Sequence, residues 1–189
     1  MRFEENILLN YIDEVNKYSE QHSNNNREWH YIMSNINHNK SLLYKLNEKE
    51  LLSNVVNICD AGIGFGTALF DLYLQSKTIN KKFNFYGVEK NKYYVDFFQK
   101  NLINFWENNL KLIVGDLTIQ NFSNYDIVYS FLPFKETNLL NNFYKRVCND
   151  LKPGSIIIEN SSGGKNSALL EFQNLETIDL GDIYVFRKV

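Results

Sequence analysis

Three acidic side chains and one glycine-rich turn carry the chemistry legible in this sequence. Asp60-Ala61-Gly62-Ile63-Gly64-Phe65-Gly66-Thr67 follows the apolar run Val55-Val56-Asn57-Ile58-Cys59 and precedes Ala68-Leu69-Phe70-Asp71-Leu72-Tyr73-Leu74. A strand, a glycine turn and a helix start, in that order, make a nucleotide site. Glycines let the backbone bend sharply and come close to a ligand. The helix start offers N–H groups and the positive end of its dipole to a carboxylate or phosphate. Glu89 closes a second apolar run, Tyr86-Gly87-Val88-Glu89, and Asp116 follows a third, in Gly115-Asp116-Leu117. At the tip of the second strand, Glu89 can accept from both hydroxyls of a ribose, because a carboxylate presents two acceptor oxygens.

The spacing of the glycines separates ligand classes. A dinucleotide fingerprint is G-x-G-x-x-G. Counted from Gly62, its third glycine would fall on Thr67; the third glycine here is Gly66. Each feature also has a plain reading: a tight turn, a solvated strand end at Glu89, an N-cap at Asp116. Their coincidence on three successive strand ends is what points to a ligand.

The elements that must position these residues alternate. Apolar runs predict strands over 55–60, 83–89, 111–115, 125–132 and 155–159, and 3.6-residue periodicity predicts helices over 67–75, 92–107 and 136–151. Such alternation implies a doubly wound, mostly parallel α/β sheet with helices on both faces. Segments 176–180 and 183–186 flank Gly181-Asp182, which predicts a closing hairpin and an antiparallel strand, seven strands in all. Before the first strand, Ile7, Leu8, Tyr11, Ile12, Val15 and Tyr18 recur at helical spacing, and a short helix begins at Ser41. Between these helices, 22–26 is a polar break. The expected organisation is a helical cover over 1–53 and a core over 54–189, forming one structural domain.

Composition sets the outer limits. Apolar residues are 44% of the chain and aromatics 15%, which suits a globular core. Twenty basic and 22 acidic side chains give a net charge of −2, so no strongly basic surface announces nucleic acid. Cys59 and Cys148 have no partner at metal-ligand spacing, so no metal is expected, and they read as reduced thiols of a cytoplasmic protein. The N-terminus does not read as a signal peptide, and no apolar run reaches membrane-spanning length.

The form D-x-G-x-G-x-G with its acid at the strand end, followed by Glu89, Gly115-Asp116-Leu117 and the Leu151-Lys152-Pro153-Gly154 turn, resembles the class I methyltransferases that use S-adenosylmethionine. These motifs lie between about 54 and 160. The resemblance implies a Rossmann-like seven-strand fold and S-adenosylmethionine as cofactor. Asp60, Ala61, Gly62, Gly64 and Gly66 would bound its methionine end, Glu89 its ribose, and Asp116 with Leu117 its adenine. Main-chain groups near Tyr129 and Ser130 would face the reactive methyl. Tyr31-Ile32-Met33-Ser34 and the strand-four end Ser130-Phe131-Leu132-Pro133-Phe134 also resemble small seven-strand protein-lysine methyltransferases.

The acceptor side carries weaker signals. Methyltransferases that act on planar amide or base amino groups carry [D/N]-P-P-[Y/F] after strand four; this chain has Phe131-Leu132-Pro133-Phe134. Without the polar first residue, nothing there orients such an amino group. The candidate acceptor pocket is Tyr129, Ser130, Phe131, Pro133, Phe134 and Tyr31, and its apolar and aromatic rim suits a lysine stem or another amine, since aromatic faces also attract cations. His30 is a candidate base, and the glycines of Ser161-Ser162-Gly163-Gly164-Lys165 could form a substrate-side loop. Expected partners are a methyl acceptor, a protein amine first and RNA second, and no membrane. Two further readings stay open: an NAD(P)-linked oxidoreductase, and a non-catalytic subunit that binds the cofactor without turning it over.

Overall fold

The computed structural model describes residues 3–22, 41–106, 108–131, 133–160, 167–180 and 183–189. His30, the Tyr31–Ser34 segment, Leu132, Gly181, Asp182 and the Ser161–Lys165 segment named above lie outside them. Helix α1 (Phe3–His22) and α2 (Leu42–Glu48) precede β1 (Val55–Ala61), α3 (Thr67–Ser76), β2 (Lys82–Glu89) and α4 (Lys92–Leu102). Strands β3 (Leu110–Val114) and β4 (Ile127–Ser130) follow, then α5 (Thr137–Asp150), β5 (Ile156–Glu159), β6 (Leu175–Asp179) and β7 (Tyr184–Lys188). Short 3-10 turns span Ile103–Phe105 and Ala168–Glu171.

The seven strands form one sheet in the order β3-β2-β1-β4-β5-β7-β6, the doubly wound arrangement expected. Strands β1 to β5 pair in parallel. Only β7 runs against its neighbours; it inserts between β5 and β6, so the closing hairpin turns back into the sheet. The order reverses between β2-β1 and β4. In such sheets a ligand sits outside the carboxyl ends of the strands at this switch point.

Strand alternation sends side chains to two cores. Val56, Ile58, Phe85, Tyr129 and Ile158 face α1 to α4. Cys59, Ala61, Val88, Val128 and Ile157 face α5, where Phe143, Tyr144 and Val147 cover them. Helix α3 is buried nearly all round, as a helix apolar on every face must be. Helices α1 and α2 provide its outer cover: Leu8, Tyr11, Val15, Leu43 and Leu46 join the same core, and the Leu43 N–H donates to Gln75 Oε1 at 3.0 Å. Both cysteines are buried free thiols. No helix among the described residues is long and apolar enough to cross a membrane.

Two elements are shorter than the sequence reading expects by four residues or more. The helix expected over 92–107 stops at Leu102. Its apolar periodicity continues, but Trp106 is drawn into the core against Tyr73 (4.2 Å between centroids) and Phe85 (5.1 Å), and the Tyr73 hydroxyl donates to the Phe105 carbonyl. Asn108 then turns at φ 59° so that the chain can enter β3. Strand β4, expected over 125–132, covers only Ile127–Ser130. Its neighbours set its length, because β1 ends at Ala61 and β5 at Glu159, the register partners of Ser130.

Candidate functional site

The glycine turn is tied to the tip of β2. Gly62 and Ile63 N–H groups both donate to the Val88 carbonyl (2.9 and 3.2 Å), and Gly64 N–H donates to Glu89 Oε2 at 3.0 Å. Gly66 N–H closes the turn on the Ile63 carbonyl at 2.7 Å. Gly62, Gly64 and Gly66 all have positive φ, which the tight reversal requires. A pyrophosphate cradle needs N–H groups aimed at its ligand. These four are engaged within the protein.

The glycines do different work. A Cβ on Gly62 would lie 3.4 Å from the Pro133 Cβ and 3.7 Å from a Leu117 methyl, so the bare glycine keeps space open between β1, Leu117 and the strand-four exit. A Cβ on Gly66 would lie 2.1 Å from the Phe98 ring. That glycine admits Phe98 of α4 against the start of α3 and is itself buried. Gly87, which the sequence reading left without a role, is bare for a similar reason: a Cβ there would lie 2.8 Å from Ile63. Its absence lets the turn settle on β2.

Asp60 lies at the end of β1, 2% exposed, with Oδ2 lacking any hydrogen-bond partner among the described residues. Burial and then the charge of Glu89 push its carboxyl up to about 8, against the Leu69 N–H of α3, which favours the charged form. An orphaned, buried carboxyl oxygen is costly. A cationic ligand group would relieve it.

Glu89 uses both oxygens locally: Oε2 accepts from Gly64 and Oε1 from Asn91 N–H at 2.8 Å. A carboxylate has about four acceptor directions, so hydroxyl donors can still be received. Asp116 adopts the turn geometry that its plain reading implied. Its Oδ1 accepts from Thr118 N–H (2.9 Å) and hydroxyl (2.7 Å), and Lys90 Nζ donates to Oδ2 at 3.4 Å. The Thr118 bonds and then Lys90 hold this carboxyl below its usual range. Leu117 beside it is buried.

The tips of β4 and β5 are different. Tyr129 and Ser130 are fully buried. The Tyr129 hydroxyl accepts from Asn160 Nδ2 at 2.8 Å, and the Ser130 carbonyl accepts from Asn160 N–H at 3.0 Å. Beyond them Phe131, Pro133 and Phe134 are half-buried; Phe131 packs on the α1–α4 core, Phe134 on the α5 core. On the α5 face, Ser130 Oγ meets the Tyr144 hydroxyl at 3.2 Å, Tyr144 reaches Glu159, and Ser167 donates to Glu159 Oε2. Burial raises the Glu159 carboxyl, opposed by its Ser167 and Tyr144 bonds. The sequence reading missed Glu159 and Asn160. The rule that picked out strand-end acids would have found Glu159, which closes β5.

The PRMT5 arginine-N-methyltransferase family model matches residues 15–158. No curated protein matches the sequence. Solved structures share the fold at low identity. A Listeria monocytogenes protein described as a class I S-adenosylmethionine-dependent methyltransferase is 12% identical (TM-score 0.68, 98% of this chain, 68% of that one). A Methanococcus maripaludis protein described as an S-adenosyl-L-methionine-dependent methyltransferase is 15% identical (TM-score 0.58, 81% and 89%). TrmN from Thermus thermophilus is 12% identical (TM-score 0.58, 79% and 48%). The chain spans only 41–61% of the length of several other solved structures that it matches. By the extent of its sequence match, which runs from within α1 to the last residues of β5, the chain belongs to the PRMT5 arginine-N-methyltransferase family, whose methyl donor is S-adenosylmethionine.

Proposed function

We propose that this protein methylates a nitrogen of a protein side chain, and that the acceptor is a lysine or another amine presented over the tip of β4. The observation that carries the acceptor class is the apolar character of that tip. Phe131, Pro133 and Phe134 are half-buried there, and the first carboxylate after β4 is Glu136. An amine needs an apolar sleeve for its stem and release of one proton. A planar guanidinium needs carboxylates in a fork.

Donor binding is assigned to the opposite side. When bound, S-adenosylmethionine supplies a methyl group activated on a sulfonium. Two features of the chain fit that group: the unpartnered Oδ2 of Asp60, which would receive the ammonium of its amino-acid end, and the open space that bare Gly62 leaves against Leu117 and Pro133. Ala61, Gly62 and Gly64 would bound the methionine end; Gly66 supports them by seating Phe98. Glu89 would accept from the ribose hydroxyls, Asp116 with Leu117 would meet the adenine, and the Tyr129–Ser130 segment would line the methyl-facing end. The protein's contribution to transfer is alignment and exclusion of water. An amine that reaches the site already neutral needs no dedicated base.

The second reading is methylation of an arginine guanidine nitrogen, favoured by the description of the family. Incubating the protein with labelled S-adenosylmethionine and a cell extract, then hydrolysing the labelled protein to amino acids, separates the two. Methyl-lysine supports the amine reading, and methylarginine overturns it. No transfer despite tight cofactor binding would make the chain a binding subunit instead.

A further inference from the structure

We propose that Tyr11 of α1 is a positioning residue for the donor site: its hydroxyl fixes the Phe65–Gly66 peptide of the glycine turn. The inference rests on the donor site proposed above and extends it to a helix far from the turn in sequence. Tyr11 is 3% exposed and Phe65 1%. The Tyr11 hydroxyl donates to the Phe65 carbonyl at 2.5 Å, fifty-four positions apart in the chain. The N–H of the same peptide unit belongs to Gly66 and donates to the Ile63 carbonyl at 2.7 Å. Held at both ends, this peptide cannot flip its carbonyl toward the strand tips. That matters at a turn of positive-φ glycines, where the backbone itself imposes little restraint.

The Phe65 side chain is gripped from the same direction. Its ring lies edge-on to Tyr18 of α1 (5.9 Å between centroids), to Tyr94 (4.6 Å) and to Phe97 (5.0 Å) of α4. Phe65 is the one turn residue whose carbonyl and ring are both held by α1. Its neighbour Gly64 donates to Glu89, so the clamped peptide lies two peptide units along the chain from the one that donates to the proposed ribose acid. A core tyrosine with a merely structural role would stabilise the fold without touching ligand affinity. The protein contains a matched control of that kind: Tyr73, equally buried, donates its hydroxyl to the Phe105 carbonyl beyond α4 in the chain.

The test uses the full chain. S-adenosylhomocysteine is titrated calorimetrically into wild type, Tyr11→Phe, Tyr73→Phe and Glu89→Ala, and hydrogen exchange is followed in the peptide covering the turn. Tyr11→Phe is expected to weaken binding about five- to tenfold, the range for one lost buried hydrogen bond, and to speed exchange at the turn. Tyr73→Phe should lower the melting temperature comparably and leave both readouts alone. Tyr18→Leu, which removes the edge contact and spares the hydrogen bond, should weaken binding about twofold, and it serves as the second variant if Tyr11→Phe does not fold. Unchanged affinity in the folded α1 variants overturns the inference, as does an equal loss in Tyr73→Phe. If those variants bind normally while Glu89→Ala does not, the donor site stands and only the role of Tyr11 falls. If wild type itself does not bind, both fall.

Discussion

The tips of β1 to β3 and those of β4 and β5 answer to different demands. On the first side, acidic side chains stand at or just beyond each strand end, and the glycine turn is fastened to β2 by its own N–H groups. One carboxyl oxygen there, Asp60 Oδ2, has no partner among the described residues. On the second side every buried polar group named is paired: Tyr129 with Asn160, Ser130 with Tyr144, Glu159 with Ser167 and Tyr144. Buried polar groups are normally satisfied. An orphan beside the glycine turn and a paired network beyond β4 are what favour the first side as the proposed donor site and leave the second as its apolar-lipped neighbour.

That contrast can be broken at several points. The largest effect expected is from Gly66→Ala. The added methyl would overlap the Phe98 ring at 2.1 Å, in a backbone conformation that L-residues avoid. Destabilisation of roughly 3 kcal/mol is expected from overpacking plus left-handed strain, measurable by urea unfolding. Phe98→Ala in the same chain should not restore full stability, since the strain remains.

Next comes pH. The folded carboxyl of Asp60 is raised to about 8 above an ordinary value of 3.8, so the folded state holds its proton more tightly than the unfolded chain. The stability this provides is complete below about pH 4 and is lost as pH rises toward 8. Urea unfolding of the unliganded protein at about pH 5 and pH 8 should show a fall on the order of a few kcal/mol in wild type relative to Asp60→Asn. Parallel curves for the two proteins would mean that Asp60 is ionised and paired.

A smaller effect separates the two sides directly. Tyr144→Phe removes a hydroxyl that serves Ser130 and Glu159, and should cost about 1–3 kcal/mol of stability with no change in S-adenosylhomocysteine affinity. Asp116→Asn should have the smallest effect, weakening that affinity about threefold, because its Oδ1 is already engaged by Thr118 and the side chain is 35% exposed. A larger loss would bring Asp116 into the centre of the site.

The strand ends and turn of the proposed donor side were legible because their signals are local. An acid ending an apolar run, a glycine at a reversal and a helix start can each be read from a few neighbouring residues. So were Glu89 at the tip of β2 and the helix stop at Lys152-Pro153-Gly154. Gly66 was legible as a turn residue but not in its cause, because Phe98 meets it only once α4 packs on α3. The early end of α4 at Leu102 was hidden for the same reason: Trp106 is claimed by Tyr73 and Phe85, residues of other elements. The clamp from Tyr11 to Phe65 is a long-range bond that no periodicity announces. Glu159 could have been found, since it ends its strand as Glu89 does.

The central claim is that the strand-tip acids beside the glycine turn hold the methyl donor, and Glu89 is where it is most exposed to test. Calorimetric titration of S-adenosylhomocysteine into wild type and Glu89→Ala is the direct measurement. The account predicts one site in wild type and a loss of about a hundredfold in the variant, the combined effect of charged hydrogen bonds to ligand and to Gly64. Equal affinity in a folded Glu89→Ala protein would contradict it.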